Sequence, residues 1–165
     1  MLRRMGRYQS DIYISWDELH RDTRELCRQL IARGTKWHTL VAVTRGGLIP
    51  AAVVARELDI RLVDTICVVS YAGAEAQQQK EAEVLKAPDG DGEGCLLIDD
   101  LVDTGRTAAK IKELMPKAFL ATVYAKEEGL PQTDLCIREI PQTTWIRFPW
   151  DTELGFAVPL VERND

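Results

Sequence analysis

Short apolar runs and helical segments alternate along the chain. Five apolar runs predict strands, at 12–14, 39–43, 61–70, 95–98 and 119–124. Three segments predict helices, at 16–33, 48–58 and 108–115. The second of these helices is rich in Ala and Val and is expected to be buried. Strands that alternate with helices favour an α/β fold, with a parallel sheet covered by helices on both faces.

The first predicted helix has sequence signals at both ends. Ser15 is a typical N-cap residue, and Glu18 three positions later completes a capping box. Gly34 follows the helix, at a position where glycine commonly ends one. Leu19 and Leu26 lie on the apolar face that would pack against the sheet.

The segment 71–83 interrupts the alternation of strands and helices. It reads YAGAEAQQQKEAE, which is polar and has no apolar period. We expect this segment to be a mobile loop. A Pro-Asp-Gly-Asp-Gly turn at 88–92 then leads to the next strand.

Two adjacent acids, Asp99 and Asp100, follow the run 95–98, where the strand is expected to end. Asp103 comes next, and a Thr-Gly-Arg-Thr loop at 104–107 leads into a helix. Backbone N–H groups at a helix N-terminus, with threonine hydroxyls beside them, can bind phosphate. Because carboxylates would repel a phosphate, they indicate a metal ion or sugar hydroxyls. Taken alone, the acid pair fits a solvated acidic turn equally well.

Two other strand ends carry residues that could bind a ligand. Arg45, Gly46 and Gly47 follow the second predicted strand, where glycines allow close approach of an anion and Arg can bind phosphate bidentately. Lys126 follows the fifth predicted strand. The alternatives are a Gly-Gly turn that caps a helix and a solvated surface lysine. Ligands of parallel sheets bind at the carboxyl ends of the strands, so these loops would meet there.

Composition indicates one globular domain. The 165 residues suit a single domain, and 45% hydrophobic with 28% charged residues is ordinary for a soluble protein. The net charge of −5 argues against a nucleic-acid-binding surface. No apolar stretch reaches the ~20 residues of a transmembrane helix. The basic start of the chain has no apolar run after it, so it is not a secretory signal.

The cysteine and histidine content bears on the compartment and on metal binding. The four cysteines show no C-x-x-C spacing, which favours reduced thiols in a cytoplasmic protein. With only two histidines, a zinc site is not expected.

The stretch 95–107, CLLIDDLVDTGRT, resembles the ribose-phosphate-binding motif of the type I phosphoribosyltransferases. That motif consists of an apolar strand, two acids, a short gap and an acid-Thr-Gly-x-Thr loop. The resemblance implies the type I phosphoribosyltransferase fold, an α/β fold whose central, mostly parallel sheet is flanked by helices. It also implies a single domain at 12–165 with a small C-terminal hood, mainly at 127–160. Residues 1–11 would be an N-terminal extension to which the family assigns no role.

The same resemblance implies roles for the residues of the motif. Asp99 and Asp100 would contact the ribose hydroxyls and Mg²⁺, with Asp100 on the metal side. Asp103 would accept or donate a proton at a purine ring nitrogen. The residues that would hold the 5′-phosphate are Thr104, Gly105, Arg106 and Thr107. Asp103 also counts among the residues that would bind phosphoribosyl pyrophosphate. Arg106 replaces a small residue of the family, and contact with phosphate and exposure to solvent are equally expected for it.

Two further segments would bind the pyrophosphate of the substrate. Arg45, Gly46 and Gly47 would form the pyrophosphate-binding loop, in which relatives often have a non-proline cis peptide, here before Arg45. The polar segment 71–83 would close over the site and exclude water. Within it, Lys80 stands where an arginine is expected to reach pyrophosphate, and it joins Arg45 and Asp103 as the residues assigned to catalysis.

Three residues would bind the base. Lys126 would contact the exocyclic 6-oxygen of a purine, which favours guanine, hypoxanthine and xanthine over adenine. Trp145 would stack on the base, although a lone tryptophan after a turn is more often part of the core. The backbone carbonyls of Trp145 and Ile146 would contact substituents at the purine 2-position.

Beyond the motif, segments between 15 and 151 resemble the bacterial members of the family that act on xanthine and guanine. VTRGGLIPAAVVARELDIR and TTWIRFPWD are two of them. This implies transfer of a phosphoribosyl group from phosphoribosyl pyrophosphate to N9 of a 6-oxopurine, with Mg²⁺ as cofactor. It also implies a cytoplasmic homotetramer with, at most, peripheral membrane association and no nucleic-acid partner. The alternatives are a phosphoribosyltransferase for another nucleobase and a non-catalytic regulator that binds phosphoribosyl pyrophosphate.

Overall fold

The computed structural model describes residues 8–69, 82–151 and 161. Strands and helices alternate up to residue 69 and again between 95 and 126, as the sequence predicts. The strands are β1 (Ser10–Tyr13), β2 (Thr39–Val43), β3 (Leu62–Val69), β4 (Glu83–Lys86), β5 (Cys95–Val102), β6 (Phe119–Lys126), β7 (Leu135–Ile140) and β8 (Thr144–Arg147). The helices are α1 (Trp16–Ala32), α2 (Leu48–Glu57) and α3 (Arg106–Leu114), and a 3-10 turn spans Leu130–Gln132.

Six strands form the central sheet, in the order β4-β3-β2-β5-β6-β7. All neighbouring pairs are parallel except β3 and β4, which pair antiparallel at one edge. The inner strands β2, β5 and β6 are nearly continuous runs of buried residues, as expected of strands covered on both faces. The prediction of a mostly parallel α/β sheet is confirmed.

Alternate residues of the inner strands face two separate apolar cores. Leu40 and Ala42 of β2 belong to the core that contains the buried faces of α1 and α2. Val41 and Val43 belong to a second core, which contains Ile111 of α3. Helices α1 and α2 therefore cover one face of the sheet, and α3 covers the other.

The strands β1 and β8 form a second, two-stranded parallel sheet. Ser10 lies opposite Thr144, and the backbone N–H of Gln9 donates to the carbonyl of Thr143 at 2.8 Å. The sequence predicts this strand at 12–14, but it begins at Ser10 because β8 provides hydrogen-bond partners for its backbone. The chain from Gln9 onward is thus held against its C-terminal part.

The ends of α1 agree with their sequence signals. The N–H of Glu18 donates to Ser15 Oγ at 3.2 Å, and the N–H of Ser15 donates to Glu18 Oε2 at 2.9 Å, which is the predicted capping box. Helix α1 ends one residue earlier than predicted, and Gly34 follows with a φ of +70°. The glycine conformation reverses the chain toward β2.

The prediction that the second helix is buried along its length is wrong. Leu48 and Ile49 are 45% and 41% exposed, because only one side of α2 packs against the sheet. The residues that α2 buries are Pro50, Ala51 and Val54.

The prediction that β5 ends before the acid pair is also wrong. The strand continues from Ile98 to Val102, because it keeps pairing with β6, with Leu101 opposite Tyr124. Its pairing with β2 stops at Ile98. In the same way β6 runs to Lys126, so this lysine is the last residue of the strand.

The apolar pattern does not predict three of the strands. Glu83, which the sequence assigns to the mobile segment, is the first residue of β4. The rest of that segment, apart from Ala82, lies outside the described residues, and so does Lys80. The strand β7 falls in the segment expected to form the hood, yet it pairs with β6 and extends the central sheet. The strand β8 pairs only with β1 in the described part of the chain.

The four cysteines are free thiols. Burial raises the pKa of the Cys27 and Cys136 thiols to about 11, so both remain protonated at neutral pH. Each helix in the described ranges is too short or too polar to cross a bilayer.

A buried polar network joins α1 to the central sheet. The hydroxyl of Tyr124 donates to Asp22 Oδ2 at 2.9 Å, and Arg138 Nη1 donates to the same oxygen at 3.1 Å. Tyr124 is fully buried and Asp22 is 6% exposed. Arg21 contacts the other carboxylate oxygen. A carboxylate is tolerated at this depth because donors satisfy both of its oxygens.

We expect Tyr124→Phe to lower the melting temperature, because Asp22 then loses a buried donor. The loss of about 0.5–1.5 kcal/mol corresponds to a decrease of about 1–6 °C in calorimetry. Tyr13→Phe is the matched control, since Tyr13 is 61% exposed and its ring would stay beside Arg147. An equal decrease in both variants would contradict a stabilising role of the network.

Candidate active site

Several of the predicted ligand-binding loops meet at a cavity of about 550 Å³. It lies beyond the carboxyl end of β2 and along the end of β5, as expected for a parallel sheet. Its walls also include the start of α3 and side chains from both ends of the described chain. The predicted site residues that line the cavity are Gly46, Asp99, Asp100, Asp103, Thr104, Gly105, Arg106, Thr107 and Trp145.

Asp99 and Asp100 lie on the part of β5 that extends beyond β2. The N–H of Asp100 donates to Asp99 Oδ1 at 2.9 Å, and the N–H of Leu101 donates to Asp100 Oδ1 at 2.8 Å. Burial raises the pKa of Asp99 well above its usual range, and the charge of Asp100 raises it further. Burial also raises the pKa of Asp100. The cavity therefore presents two carboxyl groups that would be stabilised in their charged form by a cation.

The loop after β2 passes directly beside Asp100. A Cβ atom at Gly46 would overlap the carboxylate of Asp100, and one at Gly47 would overlap the backbone carbonyls of Ile98 and Val43. Both positions therefore need glycine for the loop to come this close to β5. Gly46 lines the cavity, whereas Gly47 is buried beneath the loop.

Arg45 lies in the same loop, between two residues that line the cavity. The peptide bond between Thr44 and Arg45 is cis, which confirms the conformation that the family resemblance implies. Arg45 itself is exposed and does not line the cavity. Its contact with pyrophosphate stays a prediction.

The predicted phosphate loop is in large part the N-terminus of α3. The helix begins at Arg106 rather than at 108, because Gly105 has a φ of +77° and serves as its N-cap. Thr107 is thus helical as well. No side chain caps the first N–H groups, and the first turn has no acidic residue, so these groups can bind an anion. Arg106 is exposed and also lines the cavity, which is compatible with both roles expected for it.

Lys126 is not a solvated surface lysine. Its side chain is 1% exposed, and Nζ lies 3.3 Å from Asp103 Oδ1. Nε2 of Gln142 donates to the same oxygen at 2.9 Å, and the backbone N–H of Glu128 donates to Gln142 Oε1 at 3.0 Å. Because a buried ammonium needs a partner, this cluster holds the carboxylate of Asp103 at the edge of the cavity.

Trp145 and Ile146 face opposite sides of β8. Trp145 lies on the wall of the cavity, while Ile146 is 4% exposed and belongs to the core beneath it. This division follows from the alternation of side chains along a strand. The contacts of their carbonyls with a base stay predictions.

Sequence reasoning missed two side chains of this site. Tyr8 lies in the segment to which the family assigns no role, yet it lines the cavity with its ring 4.9 Å from that of Trp145. Gln142 holds Asp103 from the turn before β8. The apolar residues of β1 are a signal that the start of the chain forms a strand. No local signal shows which part of the chain this strand joins.

The residues present fit Mg²⁺ only if a substrate shares it. The described residues contain no group of three or more His, Cys, Asp or Glu side chains that could hold a metal ion. Asp99 and Asp100 can supply one or two oxygens, which is what Mg²⁺ takes from a protein when substrate and water complete its shell. Their raised pKa values fit a site that gains from positive charge.

Comparison with known proteins gives consistent matches. A family model described as "Phosphoribosyl transferase domain" matches residues 15–157. A xanthine-guanine phosphoribosyltransferase of Desulfotalea psychrophila is 55% identical over 95% of this chain and 96% of its own length. The enzyme of that name from Chromohalobacter salexigens is 52% identical, over 96% and 95%. The crystal structure of a purine phosphoribosyltransferase from Pyrococcus horikoshii has a TM-score of 0.74 at 25% identity, covering 94% of this chain and 100% of that one.

The family match covers most of the cavity that the geometry identifies. It begins at Ser15, the N-cap of α1, and continues past Asp151, where the described C-terminal range ends. The loop after β2, the acid pair, the start of α3 and Lys126 all lie within it, whereas Tyr8 precedes it. On both sequence and structure, this chain belongs to the phosphoribosyltransferase family.

Proposed function

We propose that this protein is a purine salvage enzyme that transfers the phosphoribosyl group from phosphoribosyl pyrophosphate to N9 of xanthine, guanine or hypoxanthine. The bond from ribose C1 to pyrophosphate breaks, and a bond from C1 to N9 forms. One observation carries this proposal: a single cavity joins a helix N-terminus without a side-chain cap, a carboxylate pair and Asp103, whose carboxylate pairs with the buried Lys126 behind it. These features match the phosphate, the ribose and the base of the nucleotide product.

The start of α3 binds the 5′-phosphate. The first N–H groups of the helix point their donors at the anion, and the helix dipole favours its negative charge. Thr104 and Thr107 line the cavity on either side of the N-cap and donate through their hydroxyls. Arg106, exposed at the same end, adds a cation beside the phosphate.

The acid pair orients the ribose. Asp99 accepts hydrogen bonds from the ribose hydroxyls, and Asp100 is the carboxylate on the metal side. Mg²⁺, when bound, supplies positive charge that stabilises the departing pyrophosphate. Arg45 binds the pyrophosphate through its guanidinium, and Gly46 leaves the space in which Asp100 is held. Lys80 is assigned to the pyrophosphate by the family resemblance alone.

The far end of the cavity selects and activates the base. Lys126 donates to the 6-oxygen of the purine, and an amino group in the same place, as in adenine, cannot accept this hydrogen bond. Trp145 stacks on the ring, and the carbonyls of Trp145 and Ile146 contact the substituent at the 2-position. Asp103 accepts the proton that a ring nitrogen loses as the bond to N9 forms.

A spectrophotometric assay with phosphoribosyl pyrophosphate and Mg²⁺ tests the activity. We expect turnover of guanine, xanthine and hypoxanthine, and none of adenine or uracil. If none of the five bases is turned over while phosphoribosyl pyrophosphate still binds, the proposed enzymatic activity is contradicted and a regulator is favoured. Turnover of adenine or uracil alone would favour a phosphoribosyltransferase for another base.

We expect Lys126→Met to lower kcat/KM for guanine by about 10- to 150-fold, because a hydrogen bond from a charged donor contributes about 1.5–3 kcal/mol. Methionine keeps the length of the buried side chain and removes the ammonium that contacts the 6-oxygen. Steady-state kinetics with guanine and with adenine give the measurement, and discrimination between the two should decrease.

Lys117→Met is the control for this substitution, because Lys117 is 56% exposed and pairs with Asp91 on the surface. It should leave the kinetics unchanged. A Lys126→Met enzyme that folds and retains its selectivity for guanine would contradict the assignment of Lys126 to the base.

We expect Asp99→Asn to raise the melting temperature in metal-free buffer while it lowers turnover. The amide oxygen can still accept from the N–H of Asp100, but one of two adjacent, partly buried carboxylates that repel each other is gone. A gain of about 1 kcal/mol corresponds to an increase of about 2–4 °C in a chain of this length. Calorimetry in the presence of a chelator gives the measurement.

The pH dependence of this gain has a defined sign. The pKa of Asp99 is higher in the folded state than in the unfolded state. Its ionisation therefore destabilises the fold fully above the folded-state pKa. The destabilisation disappears below the unfolded-state pKa, where both states bind the proton. The gain should therefore be full above the folded-state pKa of Asp99 and shrink on acidification toward the ordinary carboxyl pKa of about 4. Asp89→Asn, at an exposed turn residue, is the control. A gain that grows on acidification would refute the account.

We also propose that the enzyme is a cytoplasmic homotetramer with, at most, peripheral membrane association and no nucleic-acid partner. The net charge of −5 supports the last point. Leu62 and Val63 are 61% and 49% exposed at the start of β3, which supports a subunit interface there. Light scattering of the purified protein tests the oligomeric state.

A further inference from the structure

We propose that Tyr8 occupies the base subsite of the free enzyme and that a purine must displace it in order to bind. The inference rests on the proposed function, because that function assigns Lys126, Asp103 and Trp145 to the base. Tyr8 contacts all three of these residues. It precedes the part of the chain that the family model matches.

The sheet of β1 and β8 fixes the backbone next to Tyr8. The N–H of Gln9 donates to the carbonyl of Thr143 at 2.8 Å, and Ser10 Oγ lies 3.0 Å from Thr144 Oγ1. Tyr8 therefore directly precedes a residue whose backbone is hydrogen-bonded, and it lies beside the strand that carries Trp145. From this position its side chain can leave the subsite by a change of rotamer, while β1 stays paired.

The ring of Tyr8 lies between the groups that would bind the base. Nζ of Lys126 is 4.6 Å from the centroid of the Tyr8 ring, a cation–π distance. The ring of Trp145 is 4.9 Å away, at an interplanar angle of 68°. The hydroxyl of Tyr8 donates to Asp103 Oδ2 at 3.4 Å. In the free enzyme, the ring and the hydroxyl of Tyr8 thus make the contacts that a bound purine would be expected to make.

A bound purine would need the same space. Its 6-oxygen must come within about 3 Å of Lys126 Nζ, and its ring must lie with its centroid about 4.5–7 Å from that of Trp145. The Tyr8 ring already lies at comparable distances from both groups. Lys126 is 1% exposed, so a carbonyl oxygen cannot reach its ammonium until a covering side chain moves. The ring of Tyr8, with its centroid 4.6 Å from Nζ, is one of the groups that cover this ammonium.

The three contacts of Tyr8 described above are individually weak, so a purine can replace them. The hydroxyl contact at 3.4 Å is long for an O–H···O hydrogen bond, and the ring meets Trp145 by an edge. A purine replaces the cation–π contact by a hydrogen bond to the ammonium of Lys126, which is the stronger interaction. It also replaces the edge contact by a stacked one.

Competition of this kind has a quantitative signature. The apparent affinity for every base decreases by one common factor, the fraction of molecules in which the subsite is open. The signature would differ if Tyr8 instead stayed in place and packed against the bound base. Guanine, xanthine and hypoxanthine differ at the 2-position, so the loss of a wall contact would change their affinities by different factors.

Kinetics of Tyr8→Ala test the proposal. We expect the KM values for guanine, xanthine and hypoxanthine to decrease together by about three- to tenfold, the range that an aromatic and a cation–π contact support. Tyr8→Phe keeps the ring, so its KM values should lie between those of Tyr8→Ala and those of the wild type. Tyr13→Ala, at an exposed position of β1, should match the wild type. KM values that stay the same, increase or change by unequal factors would overturn the displacement.

Binding of GMP gives a readout that needs no turnover. The protein has four tyrosines, so 3-fluorotyrosine labelling gives few fluorine signals, and Tyr8→Phe identifies the one from Tyr8. Saturating GMP should shift the Tyr8 signal and leave that of Tyr13 in place. Binding of GMP without a shift would overturn the displacement alone. A wild-type protein that neither binds GMP nor turns over any 6-oxopurine would overturn the proposed function as well.

Discussion

The pairing of β5 with β6 beyond the end of β2 is the constraint on which the site depends. β2 ends at Val43, while β5 and β6 remain paired as far as Val102 and Ala125. The acid pair lies on this overhang, so a hydrogen-bonded strand, and not a loop, presents its carboxylates. Sites built on strands are held more rigidly than sites on loops. The loop after β2 then fills the space below the overhang, and α3 begins directly after its end.

Asp103 joins parts of the chain that are far apart in sequence. Lys126 at the end of β6, Gln142 before β8 and Tyr8 at the start of the described chain all contact its carboxylate. At the end of the cavity that we assign to the base, a buried lysine therefore pairs with a partly exposed carboxylate. The end that we assign to the phosphate offers the N–H groups of α3 that no side chain caps. The two ends suit two ligands of different kinds, because a neutral purine needs specific hydrogen bonds whereas a phosphate needs positive potential.

The features that the sequence predicts well depend on neighbouring residues. The cap at Ser15, the strand β2 and the acid-Thr-Gly loop are encoded within a few positions, because capping, apolar runs and helix starts are local. The end of β5 is not local, since its pairing with β6 decides it. Lys126 taken alone is typical of a surface lysine, and only its contact with Asp103, 23 positions earlier in the chain, accounts for its burial. Tyr8 was missed because its partners lie in the other half of the chain.

The close approach of Gly46 to Asp100 couples the residues that can occupy these two positions. A side chain at 46 would take the space that the carboxylate fills, so it could persist only beside a smaller residue at 100. Such a replacement would remove the acid as well. A lineage that abandoned one of these residues would lose the selective reason to keep the other. A side chain at 46 should therefore occur only together with a smaller residue at 100.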